Sequence, residues 1–181
     1  MDKFNNKYRI PTTRLPGYDY GAHGAYYVTI CCKNRFHYFG EIVVDVETGN
    51  CPSLHPTTIG RIATEYWIQI PQHFPFVELD KFIVMPNHIH GILFFNKPDK
   101  QNWVPNQFGV QSQNLGAVIR SFKSSVKRYA NNNQIEFAWQ SRFYDHIIRD
   151  EKSLNNIRAY IENNPIGWNQ DELNDYESRN S

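Results

Sequence analysis

The chain has 181 residues, with 19 Lys and Arg against 18 Asp and Glu. That length is enough for one domain with a sizeable core, and the near-neutral balance gives no sign of a broadly basic protein, so any nucleic-acid footprint must be local. Three cysteines, adjacent Cys31 and Cys32 plus Cys51, form neither a disulfide framework nor zinc-finger spacing, and no apolar run reaches the length of a membrane span or the core of a signal peptide. A reduced, cytoplasmic setting is the expectation.

Residues 1–24 carry Pro11, Pro16, Gly17, Gly21 and Gly24 and read as an irregular N-terminal arm. Ala25 to Cys32, rich in aromatic and β-branched residues, reads as the first strand, and Glu41 to Val46 as a second short one closed by the turn Glu47-Thr48-Gly49-Asn50. Thr57 or Thr58 caps a helix running to about Ile70, where Pro71 is expected to stop it; Ile59, Ile62, Ala63, Tyr66 and Ile70 share its apolar face. Val77 to Met85 and His88 to Phe95 read as strands joined at Pro86-Asn87, and residues 96–113 as a loop. Leu115 to Tyr129 is an amphipathic helix with Leu115, Val118, Ile119, Phe122, Val126 and Tyr129 on one face and Arg120, Lys123, Lys127 and Arg128 on the other. Phe143 to Arg149 is the last strand, and Ser153 is expected to cap a final helix ending near Asn164, before Pro165. Residues 169–181, with Asp171, Glu172, Asp175 and Glu177, read as an acidic tail outside a single domain over 25–168. The order β-α-β-β-α-β predicts an α+β, ferredoxin-like antiparallel sheet with two helices on one face, followed by an extra C-terminal helix.

His88 and His90, two apart in a strand, point to the same side while Ile89 enters the opposite layer. Two imidazoles on one face make a poor core and a good start to a metal site. Tyr160 and Asn164, four apart, lie one turn from each other on the last helix. Asn164 next to the pair would complete a three-ligand cation site with open positions, and Tyr160 would stand beside it. The chemistry of such a set is phosphoryl transfer through a covalent intermediate: a phenol is a weak nucleophile near neutral pH, and a divalent ion polarises a phosphodiester. Mixed imidazole and amide ligands favour a catalytic Mn²⁺ or Mg²⁺ over closed structural zinc.

His88-Ile89-His90 is a histidine-hydrophobe-histidine (HUH) element within MPNHIHGIL; Tyr160 lies in YIENNP; and Arg14-Leu15-Pro16-Gly17-Tyr18-Asp19-Tyr20 precedes AYYVTI. From about Arg14 to Trp168 this combination resembles the single-tyrosine HUH transposases, and more closely their REP-associated tyrosine transposase branch. The resemblance implies metal-binding roles for His88, His90 and Asn164, with Tyr160 as nucleophile. Some relatives carry Gln at the third ligand, so the shorter Asn164 must bring the helix end closer to the sheet. It also implies cleavage of single-stranded DNA near a hairpin, leaving a 5′-phosphotyrosine and a free 3′-OH, then rejoining without ATP. A monomer or homodimer, in the cytoplasm and on the nucleoid when bound to DNA, goes with that reading.

In a DNA enzyme the basic face at Arg120, Lys123, Lys127 and Arg128 becomes a phosphate track, with Arg142 and Arg14 as further contacts. Tyr144 is the rival nucleophile, though its strand position fits packing or base stacking better. Two other functions compete. A non-enzymatic single-strand or RNA-binding module would use sheet aromatics but has no need of the His and Tyr-x-x-x-Asn set. A metal-independent phosphoesterase would need a second His-x-Thr/Ser element, and the sequence has none. An inactive relative that kept DNA binding is opposed by the intact catalytic positions.

Overall fold

The structure is a computed structural model that describes residues 3–4, 7–8, 14–44, 52–97 and 113–174. Two-residue strands β1 (Lys3–Phe4) and β2 (Lys7–Tyr8) pair with each other. Strands β3 (Gly24–Cys31), β4 (Gly40–Val44) and β5 (Pro52–Pro56) precede helix α1 (Thr58–Ile68) and the short α2 (Ile70–His73). Strands β6 (Val77–Val84) and β7 (His88–Phe95), helix α3 (Leu115–Asn132), strand β8 (Tyr144–Ile148) and helix α4 (Glu151–Asn163) follow. The main sheet has the order β6-β7-β3-β8 with every pair antiparallel. Together with the chain order, this is the expected ferredoxin-like α+β arrangement.

Strand alternation gives the sheet two buried faces. Tyr26, Val28 and Ile30 of β3 and Ile89 and Leu93 of β7 join the main core with Ile59, Ala63 and Trp67 of α1 and Val118, Phe122 and Val126 of α3. On the opposite face a smaller cluster of Ala25, Tyr27, Ile92, Ile148 and Ile161 is covered by Leu154 and Ile157 of α4. Gly91 is required by the first face: a Cβ there would fall inside the van der Waals radius of the Trp67 ring. Gly91→Ala is expected to overpack the core and lower unfolding free energy by about 1–3 kcal/mol, read from the urea midpoint.

Several local expectations need correction. Pro71 does not end the preceding helix at Ile70; α1 ends at Ile68, and Pro71 sits in the first turn of α2, where a missing N–H leaves no bond unmade. The cap of α4 is Asp150, whose carboxylate accepts from the Ser153 backbone N–H at 2.8 Å, so Ser153 lies inside the helix. Strand β5 was not legible, because Pro52 and Pro56 bracket it; it pairs only with β4 in a separate ribbon, where missing N–H donors are tolerated. The residues expected as an arm are tied to the domain over 14–23: the Leu115 backbone N–H donates to Tyr20 O at 2.8 Å, and Arg14 pairs with the buried Asp145 at 3.7 Å. The turn 47–50, Cys51 and most of the expected loop (98–112) lie outside the described residues.

Helix α4 is held over its own sheet by charge as well as by apolar contact. Arg158 makes a two-pronged pair with Asp80 of β6, and Lys81 pairs with Glu162. The Arg158 guanidinium holds the Asp80 carboxyl below its ordinary pKa. No helix among the described residues is long and apolar enough to cross a membrane.

Candidate functional site

His88 and His90 project from the central strand β7 onto the face that α4 covers, opposite Cys31 and Thr29 of β3. Their ring centroids are 4.4 Å apart, and the residues are 0% and 1% exposed. Burial holds both rings neutral: it pushes the His90 pKa down to about 3 and that of His88 well below its ordinary value.

The hydrogen bonds fix which nitrogen of His88 carries the proton. Asn87 Nδ2 donates to the carbonyls of Leu173 (2.7 Å) and Arg35 (3.2 Å), leaving Asn87 Oδ1 to accept from His88 Nδ1–H at 2.8 Å. On His90, Nδ1 lies 2.7 Å from the Tyr27 hydroxyl and 2.9 Å from Thr29 Oγ1, and the Thr29 hydroxyl donates to that of Tyr27 at 3.2 Å. In His88 the lone pair on Nε2 is therefore turned inward, as a metal ligand requires.

Buried polar atoms without partners say what the site lacks. His88 Nε2 and Asn164 Oδ1 are buried and have no hydrogen-bond partner. Both are electron-pair donors, so a cation satisfies them where another acceptor would not. Asn164, 6% exposed, follows the last turn of α4, with its Nδ2 turned to Asp171 at 3.4 Å. Asp171 completes the cluster: ligand atoms of His88, His90 and Asp171 all lie within 4.8 Å of one another. Two imidazoles, an amide oxygen and a carboxylate suit a divalent cation.

Asp171 belongs by composition to the acidic stretch 169–181. Over 169–174, however, the chain folds back as two 3-10 turns against the site. The available signal was Trp168, a large apolar residue in a polar stretch; it is 6% exposed and packs on the rings of His37 (5.5 Å) and His88 (5.9 Å).

Tyr160 stands half-exposed, its hydroxyl 3.4 Å from His90 Nε2 and its ring 5.2 Å from the imidazole. Burial, then the Asp171 carboxylate, raise the phenol pKa, while a hydrogen bond with Asn164 opposes them. Tyr160, His90, Asn164 and Asp171 line an open cleft of about 870 Å³. Tyr144 lines it too, from β8; it meets the Tyr27 ring edge-on at 6.3 Å, and Tyr27 stacks on His90 at 5.6 Å.

The six basic residues singled out in the sequence line one groove of about 770 Å³ along α3: Arg14, Arg120, Lys123, Lys127, Arg128 and Arg142. Gln140, Arg142 and Phe143 border both this groove and the cleft, so the two meet at the β8 edge of the sheet. The six differ in what they do. Lys123 Nζ donates to Gln140 O and Lys127 Nζ to Phe137 O, each at 2.6 Å, pinning the segment before β8. Arg14 pairs with Asp145 and lies over the Tyr20 and Phe143 rings. Arg120 and Arg128 are exposed.

No family model matches the chain. An uncharacterized protein of Haemophilus influenzae is 39% identical over 169 residues, covering 88% of this chain and 90% of its own length. A second Haemophilus influenzae protein, named "Putative REP-associated tyrosine transposase", is 30% identical over 103 residues, 54% of each chain. Among solved structures, a REP-associated tyrosine transposase bound to a REP hairpin superposes with a TM-score of 0.56 at 20% identity, covering 87% of this chain and 73% of that one. The chain thus shares its fold with a REP-associated tyrosine transposase, and about half of its length is similar in sequence to a protein given that putative name.

Proposed function

We propose that this protein is a metal-dependent tyrosine transposase or endonuclease that cleaves and rejoins hairpin-containing single-stranded DNA through a 5′-phosphotyrosine. The observation that carries the reading is the Tyr160 hydroxyl beside His90 Nε2, in the same cleft as the partnerless Asn164 Oδ1. His88, His90, Asn164 and Asp171 would hold a divalent ion, which supplies polarisation of a non-bridging phosphate oxygen when bound.

The protein's own groups account for the rest. With His90 Nε2 assigned to hold the ion, the half-exposed phenol would give its proton to solvent through the open cleft. The Tyr160 oxygen then attacks phosphorus: one O–P bond forms, the P–O3′ bond breaks, and the departing oxygen takes up a proton as a 3′-OH. The phosphodiester remains a diester, so the reverse attack by a 3′-OH needs no ATP. Helix α4 comes to the sheet of its own chain, an arrangement that lets a monomer act. A homodimer remains compatible with it. Free Cys31 and Cys32 fit a reducing cytoplasm, and DNA as substrate fits action on the nucleoid.

The α3 groove is the path we assign to DNA phosphates flanking the cleavage site, with Arg120, Arg128 and Arg142 reaching outward and Lys123, Lys127 and Arg14 adding charge from positions they also brace. Replacing both Arg120 and Arg128 by Ala is expected to weaken binding to every hairpin sequence alike. It should also make log K less dependent on log salt by roughly 1.5. An unchanged salt slope assigns the groove elsewhere. The function itself is tested by incubating the protein with labelled hairpin-bearing strands and Mn²⁺ or Mg²⁺ and looking for a denaturation-resistant protein–DNA adduct. Hairpin binding with no adduct would instead favour a binding-only relative.

A further inference from the structure

We propose that Arg35, which the motifs did not single out, grips the scissile phosphate, two guanidinium N–H groups meeting its non-bridging oxygens while Tyr160 attacks. The inference rests on the proposed function. Arg35 lines the same cleft as Tyr160, His90 and Asn164. It closes the 3-10 turn Lys33–Arg35 directly after β3, the strand that faces His88 and His90.

The backbone there is unusual. Asn34 and Arg35 both take left-handed conformations, with φ of 53° and 60°, which L side chains rarely adopt. Such a turn persists only where its surroundings impose it, and these do. Asn87 Nδ2 donates to Arg35 O at 3.2 Å, the Cys32 backbone N–H to Asn87 O at 2.8 Å and the Lys33 backbone N–H to Ala138 O at 2.9 Å. Asn87 is the residue that also sets the proton on His88. One amide thus fixes both the ligand and the turn that presents the arginine. Strain of this kind clusters at functional sites.

The guanidinium is also undercommitted. Its Nη1 donates to Cys31 Sγ at 2.7 Å, a thiol being a weak acceptor that brings no charge. Among the described residues no carboxylate pairs with it. A partly buried cation with only a thiol partner, in a cleft that holds a nucleophile, suits an anion that offers two oxygens to its planar fork. A phosphodiester supplies that geometry, and the thiol gives up the N–H without leaving a charge unpaired.

The test is charge rescue. Adduct formation by Arg35→Ala is expected to be about a hundredfold slower than wild type on an ordinary phosphodiester. On a strand with one uncharged methylphosphonate at the scissile position, the ratio of wild type to variant should fall to about one, because a neutral linkage gives the guanidinium no charge to offset. A deficit equal on both substrates makes Arg35 a structural residue and overturns the proposal, as does no deficit at all. If Arg35→Ala does not fold, the same ratio measured with Arg35→Lys decides. A wild-type protein that forms no adduct on any hairpin strand overturns the proposed function, and this inference with it; wild-type adduct with an indifferent Arg35 overturns this inference alone.

Discussion

Tyr160→Phe is expected to abolish the covalent protein–DNA adduct while leaving hairpin binding within about twofold, and Tyr144→Phe to keep the adduct. The substitution at Tyr160 removes one oxygen from a half-exposed ring at the end of α4, so folding is barely touched. Under the proposed function, the reaction loses the atom that bonds to phosphorus. Tyr144 is half-exposed too and lines the same cleft, but its ring contact runs to Tyr27, which in turn stacks on His90. An adduct that survives Tyr160→Phe would overturn the nucleophile assignment. The pH dependence follows from the same side chain. Burial and Asp171 hold the phenol above its ordinary pKa, so below that value the reactive phenolate grows with pH. Wild-type cleavage should accordingly rise about tenfold per pH unit between roughly pH 6 and 8. A flat profile would mean that proton loss from Tyr160 is not part of the slow step.

His88→Ala is expected to slow cleavage by about a thousandfold and change hairpin affinity by less than about threefold, because several kcal/mol of cation stabilisation acts on the transition state and little on bound DNA. His88 is the sharpest probe of the cluster. Its Nδ1 proton is committed to Asn87, so its partnerless Nε2 has no function except to donate a lone pair. Chelation should bring wild-type protein to the same rate and leave His88→Ala unaffected. Equal losses of cleavage and binding would make the metal a structural one, and a variant still responsive to chelator would remove His88 from the ligand set.

The sequence was most legible where a short period carries the signal. Alternation in β7 puts His88 and His90 on one face in any strand, and a four-residue step puts Tyr160 and Asn164 on one side of any helix. The strand and helix order then led to the observed sheet, because few topologies satisfy βαββαβ with an antiparallel hairpin at its centre. Features that depend on a distant partner were not legible. Asp171 is one acidic residue among several until Trp168 anchors the chain on His37 and His88. Arg35 reads as a loop cation until Asn87, 52 residues on, holds its turn. Lys123 and Lys127 look like free charges on a helix face, yet they brace the carbonyls of Gln140 and Phe137.

The sequence by itself determined that two imidazoles share a face, that a tyrosine and an amide share another, and which fold can hold both. Only the tertiary structure decided that these faces meet, because their approach depends on α4 docking through Leu154, Ile157 and Ile161 and on the Arg158–Asp80 pair. It also decided which nitrogen of His88 keeps its lone pair, since that is set by Asn87 and not by the histidine itself. Local periodicity is written in adjacent residues, whereas a binding site is written in contacts between residues far apart in the chain.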